Sequence, residues 1–282
     1  MKTEKKKITK ERVIRWIMSL IMGIGSISFI APFIFMLSNA LKTKTEYYLD
    51  PFSLPPNELH WESFQVMIKN FHLTRYMGHS AMIVIIAIIT VIPISVCVSY
   101  TFAKFKFRGS NFLYLLMIAS MTIPPQVTIV PLYIIFGKMK MLNTFGAIGL
   151  VNMGLMCGCT VMMTSFFRSI PNELLDAATI DGCGYFKTVR NVIIPVGKPV
   201  ISIQLILLIT SVWNDLFNPQ VLLQKNEVKT AMVAISELYG KYDQEPTYQL
   251  AGLLICCIPT LVIYLLFQKY IIKGALEGAV KG

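Results

Sequence analysis

Apolar windows recur along the chain, and each is long enough to cross a membrane. Five windows lack any charge, and a sixth contains only Asp215. They cover residues 16–41, 80–103, 110–137, 141–167, 199–224 and 246–268. Since a helix needs about 20 apolar residues to span the hydrocarbon core of a bilayer, the pattern predicts an all-α integral membrane protein with six transmembrane helices.

Composition supports a lipid environment. Hydrophobic residues make up 55% of the chain and charged residues 15%, whereas a soluble domain has about 25% charged residues. The cysteines lack the spacing of zinc or redox motifs, so we interpret them as small apolar helix residues and predict no metal site. Lysines and arginines flank the apolar windows, which is typical of membrane topology and argues against nucleic-acid binding.

The distribution of positive charge predicts the orientation. If the N-terminus is cytoplasmic, 17 lysines and arginines lie inside and 9 lie outside. The positive-inside rule therefore predicts that both termini are cytoplasmic. The basic start followed by an apolar stretch also invites comparison with a signal peptide. Because residues 16–41 exceed the usual apolar length of about 7–15 residues, we predict an uncleaved membrane anchor.

The windows and their connections predict the domain organisation. It comprises a basic cytoplasmic N-terminus at 1–15, a first transmembrane helix at 16–41, an extracytoplasmic loop at 42–79, a core of five transmembrane helices at 80–270 that contains a cytoplasmic loop at 168–198, and a cytoplasmic tail at 271–282. The outer connections at 42–79 and 225–245 either contact a soluble partner or serve as solvated connectors.

Prolines inside the windows predict irregular helices. Each proline removes a backbone donor, so a neighbouring helix, a hydroxyl group or water must satisfy the freed carbonyl. The residues concerned are Pro93, Pro124, Pro125, Pro131, Pro219 and Pro259. We expect bent or interrupted helices at these positions.

The interval 169–199 is polar and predicts two short helices between the fourth and fifth windows. Ser169, Pro171 and Asn172 suit the start of a helix. Glu173 and Asp176 place negative charge where the helix dipole favours it.

The spacing of the next residues predicts one flat face on the first of these helices. Leu174, Ala177, Ala178 and Asp181 follow helical periodicity and share that face. The two alanines would let another surface approach closely. Gly182 and Gly184 are expected to end the helix by adopting a positive φ.

A second helix is predicted over residues 185–194. Phe186, Val189 and Ile193 would lie on one side of it. Pro195 and Pro199 are expected to form the turn back into the membrane.

One motif in this interval resembles a family signature. The sequence DAATIDG at 176–182, followed by Ile194 and Pro195, resembles the cytoplasmic loop motif of ATP-binding cassette (ABC) importer permeases. Asp176 stands where the family usually has Glu, Cys183 where it usually has Ala, and Val189 where an aromatic residue is common. The shorter carboxylate at Asp176 would alter the contacts made there.

Two further features resemble the carbohydrate branch of that family. They are the run Trp213, Asn214 and Asp215 in the fifth window, and the ending KGALEGAVKG at 273–282. The similarity is greatest to the smaller permease subunit of maltose-type importers. The short tail either reaches the ATPase subunits or is a frayed end.

The resemblance implies a type I ABC importer permease fold with a cytoplasmic coupling helix between transmembrane helices 4 and 5. The implied partners are a second permease subunit in a heterodimer, two ATPase subunits and an extracytoplasmic sugar-binding protein. The residues implied to contact the ATPase are Glu173, Asp176, Ala177, Ala178, Asp181 and Gly182.

The expected role is that of a non-catalytic transport subunit in the bacterial cell membrane. The sequence lacks a GxxxxGK[ST] phosphate-binding loop, so ATP would bind to the partner ATPase. We predict no cofactor and no catalytic residue in this chain.

The charge in the fifth window has two interpretations. An ionisable residue within a span is costly and usually faces a cavity or a partner. Trp213, Asn214 and Asp215 would offer stacking and hydrogen bonds to a sugar in the translocation pathway. Alternatively, Asp215 is structural and caps a helix break before Pro219.

Other functions remain open at this point. An ABC importer permease for glycerol-phosphate, a polyamine or an amino acid would share the loop motif. A secondary carrier predicts inverted repeats, and a membrane enzyme predicts clustered His or acidic residues in the windows. We find no convincing internal repeat and no such cluster in the sequence.

Overall fold

The computed structural model describes residues 2–238 and 245–279, with side chains over 12–238 and 245–269. Every regular element in these ranges is helical. In chain order the helices are α1 (Lys2–Ala40), α2 (Lys44–Leu49), α3 (Glu62–Gln65), α4 (Leu73–Lys104), α5 (Ser110–Ser120), α6 (Pro125–Lys138), α7 (Phe145–Asn152), α8 (Met156–Arg168), α9 (Asn172–Ile180), α10 (Tyr185–Thr188), α11 (Ile194–Trp213), α12 (Phe217–Leu222), α13 (Ala231–Ser236) and α14 (Pro246–Ala279).

Five helical stretches in the described chain are long and apolar enough to cross a membrane. They are Arg12–Ala40, Leu73–Lys104, Phe145–Arg168, Tyr185–Trp213 and Pro246–Lys269. Two of them join labelled helices, α7 to α8 through a 3₁₀ turn (Met153–Leu155) and α10 to α11 through a π-helical turn (Val189–Ile193). The bent pair α5 and α6 brings the number to six if it counts as one span.

The third apolar window is interrupted where its adjacent prolines predict. Helices α5 and α6 meet at 97° across the break between Ser120 and Pro125. Pro124 is extended, and Pro125 is the first residue of α6, where its missing N–H leaves no intrahelical bond unmade. By contrast, α4 and α14 continue without interruption through Pro93 and Pro259.

The chain divides into two units, and the first comprises Met1–His72 and Leu238–Ile255. In this unit the segment after α1 is held by side-chain bonds. Asn39 Nδ2 donates to the carbonyls of Phe35 and Pro51, each at 2.9 Å. The buried Lys42 Nζ donates to the Asp50 carbonyl at 2.9 Å. The start of the predicted outer loop is therefore ordered and packed.

The second unit comprises Leu73–Glu237 and Cys256–Gly282, and its core lies between α4, α8 and α11. Phe167 on α8 is fully buried and lies against Gly197 on α11. A Cβ added at Gly197 would lie 2.6 Å from Phe167 Cε1, so only glycine allows this approach without a shift. The outward apolar residues of these helices are exposed, as expected for side chains that face lipid.

Candidate functional site

Helix α9 lies in the polar interval between the fourth and fifth candidate spans. It begins at Asn172, directly after Pro171, whose backbone is extended. Pro171 therefore precedes the helix and does not lie in its first turn. Lys104 at the end of α4 donates to the carbonyl of Ile170 and to Asn172 Oδ1. This lysine fixes the start of α9 to the end of α4.

The predicted glycine stop is confirmed at Gly182. Its φ is +71°, and its N–H donates to the Thr179 carbonyl at 3.0 Å, while the Cys183 N–H donates to the Ala178 carbonyl at 2.9 Å. This pair of bonds is a Schellman motif. Gly184 differs from the prediction, because it has φ −79° and ψ 177° and precedes α10 as an extended residue.

The exposed face of α9 differs from the predicted one. Residues Glu173, Asp176, Ala177 and Ile180 are all exposed and have the i, i+3, i+4, i+7 spacing of one face. Ala178 is only 6% exposed and faces into the protein, so the prediction of a flat Ala177–Ala178 docking face is wrong. The remaining predicted coupling residues, Asp181 and Gly182, are exposed.

Two apolar side chains of α9 are exposed, and a third exposed apolar side chain lies in the first turn of the fifth candidate span. Ile180 is 86% exposed, Phe186 is 77% exposed and Leu174 is 45% exposed. Sequence reasoning did not single out Ile180, although an isoleucine between Thr179 and Asp181 was a usable signal. Apolar side chains left uncovered beside a polar helix are typical of a protein contact surface.

The second predicted helix is part of the fifth span. Val189 and Ile193 are buried, whereas Phe186 is exposed, so these residues do not share one side. The intervening π-helical turn shifts the register, with the Ile194 N–H bonded to the Val189 carbonyl. This turn separates Val189 from Ile193, which both remain buried, whereas Phe186 lies before it in α10.

The predicted return turn at Pro195 and Pro199 is also wrong. Both prolines lie inside α11, and the helical stretch Tyr185–Trp213 is continuous. Pro195 is the second residue of α11 and lies two residues after the end of the π-helical turn, where the i→i−4 ladder is already broken. Its missing N–H therefore disrupts the helix less than in a regular interior.

Two bonds connect this stretch to α4. The Tyr185 hydroxyl donates to the Cys97 carbonyl at 2.6 Å and lies 2.9 Å from Thr101 Oγ1. Together with Lys104, these contacts hold both ends of the α9 interval against α4.

The predicted pathway residues surround the break between α11 and α12. Trp213 is buried, and its Nε1 donates to the Cys256 carbonyl at 3.1 Å. Asp215 Oδ1 accepts from the Asn218 N–H at 3.2 Å, and its Oδ2 accepts from Asn218 Nδ2 at 2.9 Å. These contacts favour the structural interpretation, in which Asp215 caps the break before Pro219. Asn214 is exposed, with its Nδ2 bonded to the Thr210 carbonyl.

Among the described residues, no group of three or more His, Cys, Asp or Glu side chains could hold a metal ion. The geometry of α9 is that of a short, capped, exposed helix fixed to a membrane helix.

The match to a known family decides the assignment. The family of binding-protein-dependent transport system inner membrane components matches residues 91–275. This chain belongs to that family. It is a multi-pass membrane protein with a type I ABC importer permease fold, and the matched region contains α8, α9 and α11.

Curated relatives match nearly the whole chain. A starch degradation products transport system permease protein of Thermoanaerobacterium thermosulfurigenes is 28% identical over 96% of this chain and 99% of the relative. An arabinooligosaccharides transport system permease protein of Halalkalibacterium halodurans is 27% identical over 96% and 98%.

A solved structure confirms the fold of this family member. It is a bacterial ABC transporter involved in the import of the acidic polysaccharide alginate, and one of its chains aligns with a TM-score of 0.81. The alignment covers 93% of this chain and 97% of that chain at 18% sequence identity.

Proposed function

We propose that this chain is the permease subunit of an ATP-driven carbohydrate importer and that α9 couples it to a separate ATPase. The observation that carries the proposal is the exposed face of α9, with Ile180 and Phe186 uncovered beside Glu173 and Asp176. Curated relatives named for the transport of starch products and arabinooligosaccharides support a carbohydrate cargo.

The ATPase must be another polypeptide, because the sequence lacks a phosphate-binding loop. Positive charge favours a cytoplasmic location for both termini and for the α9 interval. An ATPase in the cytoplasm could then cover the apolar side chains of α9. The complete importer would contain this chain, a second permease, two ATPase subunits and an extracytoplasmic sugar-binding protein.

Fixed contacts make α9 suitable as a lever. Its start is bonded to α4 through Lys104, and the residue that follows its glycine stop leads into the continuous Tyr185–Trp213 helix. A displacement of α9 by the ATPase would therefore move α4 and α11 with it. These helices form the core of the second unit, so the displacement would reach the membrane-embedded part of the protein.

The translocation pathway would be lined in part by Asn214. Its side chain is exposed near the end of the fifth candidate span, where it could form hydrogen bonds to sugar hydroxyls. Trp213 and Asp215 would act by holding the helix break in place, because their polar groups are bonded within the chain.

Reconstitution tests this function. The chain, its companion permease, the ATPase and the binding protein are incorporated into liposomes, and uptake of labelled oligosaccharides is measured with and without ATP. We expect uptake only with ATP and all four components. Uptake of sugar by this chain alone would contradict the proposal. Uptake restricted to glycerol-phosphate, a polyamine or an amino acid would favour the permease of another solute.

A further inference from the structure

A cavity of about 580 Å³ opens beside the α9 interval within the second unit. It lies where α4 ends, α5 begins and α8 ends. Lys104, Lys106 and Arg168 contribute the positive charge of its lining. Two of these residues are the last residues of candidate spans, so the cavity lies at the level where the apolar helices leave the membrane.

The positive charge in this cavity is offset only in part within the described part of the chain, by the electrostatic interaction of Glu173 with Lys104. None of the residues that line it is acidic. Lys104 donates to two neutral oxygens, the Ile170 carbonyl and Asn172 Oδ1. The Arg168 guanidinium lies 4.9 Å from the centre of the Tyr114 ring, which is also neutral.

No ion pair is found for Lys106 or Arg168 among the described residues. Glu173 follows the lining residue Asn172 in the sequence, but it does not line the cavity itself. Because Glu173 interacts electrostatically with Lys104, an anion in the cavity would be held mainly by Lys106 and Arg168.

The rim of the cavity is apolar and exposed. Phe105, Phe107 and Phe112 line it and are all exposed, with Phe112 at 69%. Leu115 and Leu116 continue the exposed apolar surface along α5. A small soluble anion would match the cations but would leave this apolar surface uncovered.

We propose that this cavity binds the headgroup of an anionic phospholipid, with its phosphate near Lys106 and Arg168 and its acyl chains along α5. Basic pockets between membrane helices on the cytoplasmic side are suited to anionic headgroups. The cytoplasmic leaflet is the source of the lipid if the orientation under the proposed function holds. Lys104 joins the cavity to the start of α9, so the lipid would border the proposed ATPase contact.

Native mass spectrometry tests the lipid site directly. The full chain is purified with its companion permease and ATPase, and phosphatidylglycerol or phosphatidylcholine is titrated in detergent without ATP or sugar. We expect tighter retention of phosphatidylglycerol. The double variant Lys106→Gln/Arg168→Gln should weaken phosphatidylglycerol binding about 10-fold to 25-fold, since each cation near an anionic headgroup raises the affinity about 3-fold to 5-fold.

A matched control removes the same charge elsewhere. Lys138 and Lys140 lie at the other end of the bent pair, near the end of α6. The double variant Lys138→Gln/Lys140→Gln should leave the lipid preference unchanged. Because Arg168 packs on Tyr114, Lys106→Gln alone serves as a second variant that alters only an exposed side chain. It should weaken phosphatidylglycerol binding about 3-fold to 5-fold.

Several outcomes would overturn the proposal. Equal retention of the two lipids by the unaltered protein would do so, as would equal losses in the cavity and control variants. Full displacement of phosphatidylglycerol by millimolar inorganic phosphate would indicate a site for free anions. Loss of ATPase co-purification with unchanged lipid retention would indicate that the cavity binds the ATPase. Since no transport is measured, failure here leaves the importer function to be judged by the uptake assay.

Discussion

Two polar intervals border the fifth candidate span, and they place their apolar residues in opposite ways. The interval before the span, which contains α9, leaves Leu174 and Ile180 exposed. The interval after it, which contains α12 and α13, buries Leu222, Leu223 and Val233. Both are short helical turns of similar composition, so hydrophobicity alone does not distinguish them.

The second interval is held by bonds to α4. His79 Nδ1 donates to the Lys229 carbonyl at 2.9 Å, and the Ala231 N–H donates to Ser80 Oγ at 3.0 Å. The α9 interval is bonded to α4 only at its two ends, through Lys104 and Tyr185. The interval with α12 and α13 therefore completes the packing of this chain, whereas the α9 interval leaves apolar side chains uncovered, as the proposed contact with an ATPase requires.

The largest expected effect comes from Gly182→Pro. A proline holds φ near −65°, whereas Gly182 has φ +71° and donates to Thr179. The end of α9 cannot form, and we expect ATP-dependent uptake to fall at least about 10-fold. Membrane insertion should persist. Gly182→Asn is the control, because asparagine tolerates a positive φ and no atom obstructs a Cβ at this position. Normal uptake by the proline variant would contradict the lever.

Ile180→Asp separates docking from folding. The Ile180 side chain is exposed, so the substitution should not lower the melting temperature. If an ATPase buries this side chain, its loss should weaken co-purification of the ATPase about 10-fold to 100-fold. Ile180→Leu should behave like the unaltered protein. A variant that binds the ATPase normally would show that α9 is not the contact surface.

Ser80→Ala should lower the stability of the protein without weakening ATPase binding, which is the reverse of the effect expected for Ile180→Asp. The buried Ala231 N–H would lose its acceptor, which costs about 1–2 kcal/mol of stability. We expect a lower melting temperature in detergent and unchanged ATPase co-purification. Ser26→Ala provides the comparison, because the exposed Ser26 hydroxyl bonds only to its own helix. Equal melting temperatures for the two variants would remove the proposed role of Ser80.

The smallest expected effect concerns the ion pair between Lys229 and Glu237. Their charged atoms are 2.6 Å apart; Lys229 is buried, but Glu237 is 34% exposed, so water still screens the pair. A cycle of Lys229→Met, Glu237→Met and the double variant should give a coupling of about 1 kcal/mol or less. Thermal unfolding measures it. A coupling of several kcal/mol would make this pair the principal restraint on the outer interval.

Sequence patterns predicted the membrane class and one helix break well. An apolar window can be identified without knowing how the helices pack. The adjacent prolines at 124 and 125 cannot both lie in the interior of a regular helix. A single proline is less decisive. Pro195 and Pro199 lie within a continuous helix, because the π-helical turn and the neighbouring helices determine whether the missing donor disrupts the helix.

The face of α9 could be predicted only in part. Periodicity places Ala177 and Ala178 on one face with Leu174 and Asp181, but it does not reveal which residues contact the rest of the chain. The structure buries Ala178 and exposes Ile180. The same limit applies to Trp213 and Asp215, whose types suit a sugar pathway but whose bonds to Cys256 and Asn218 depend on the folded backbone.

The break between α5 and α6 has a consequence for biogenesis. These helices contain 11 and 14 residues, so they extend about 16 Å and 21 Å, and neither alone crosses a hydrocarbon core of about 30 Å. Tyr114 on α5 bonds to Val161 of α8 at 3.4 Å, and α8 is synthesised later. We therefore expect the third span to insert into the membrane only in part until α8 has been synthesised and can pack against it. Glycosylation mapping of a chain truncated after Lys140 should detect incomplete insertion, and full insertion would exclude this order.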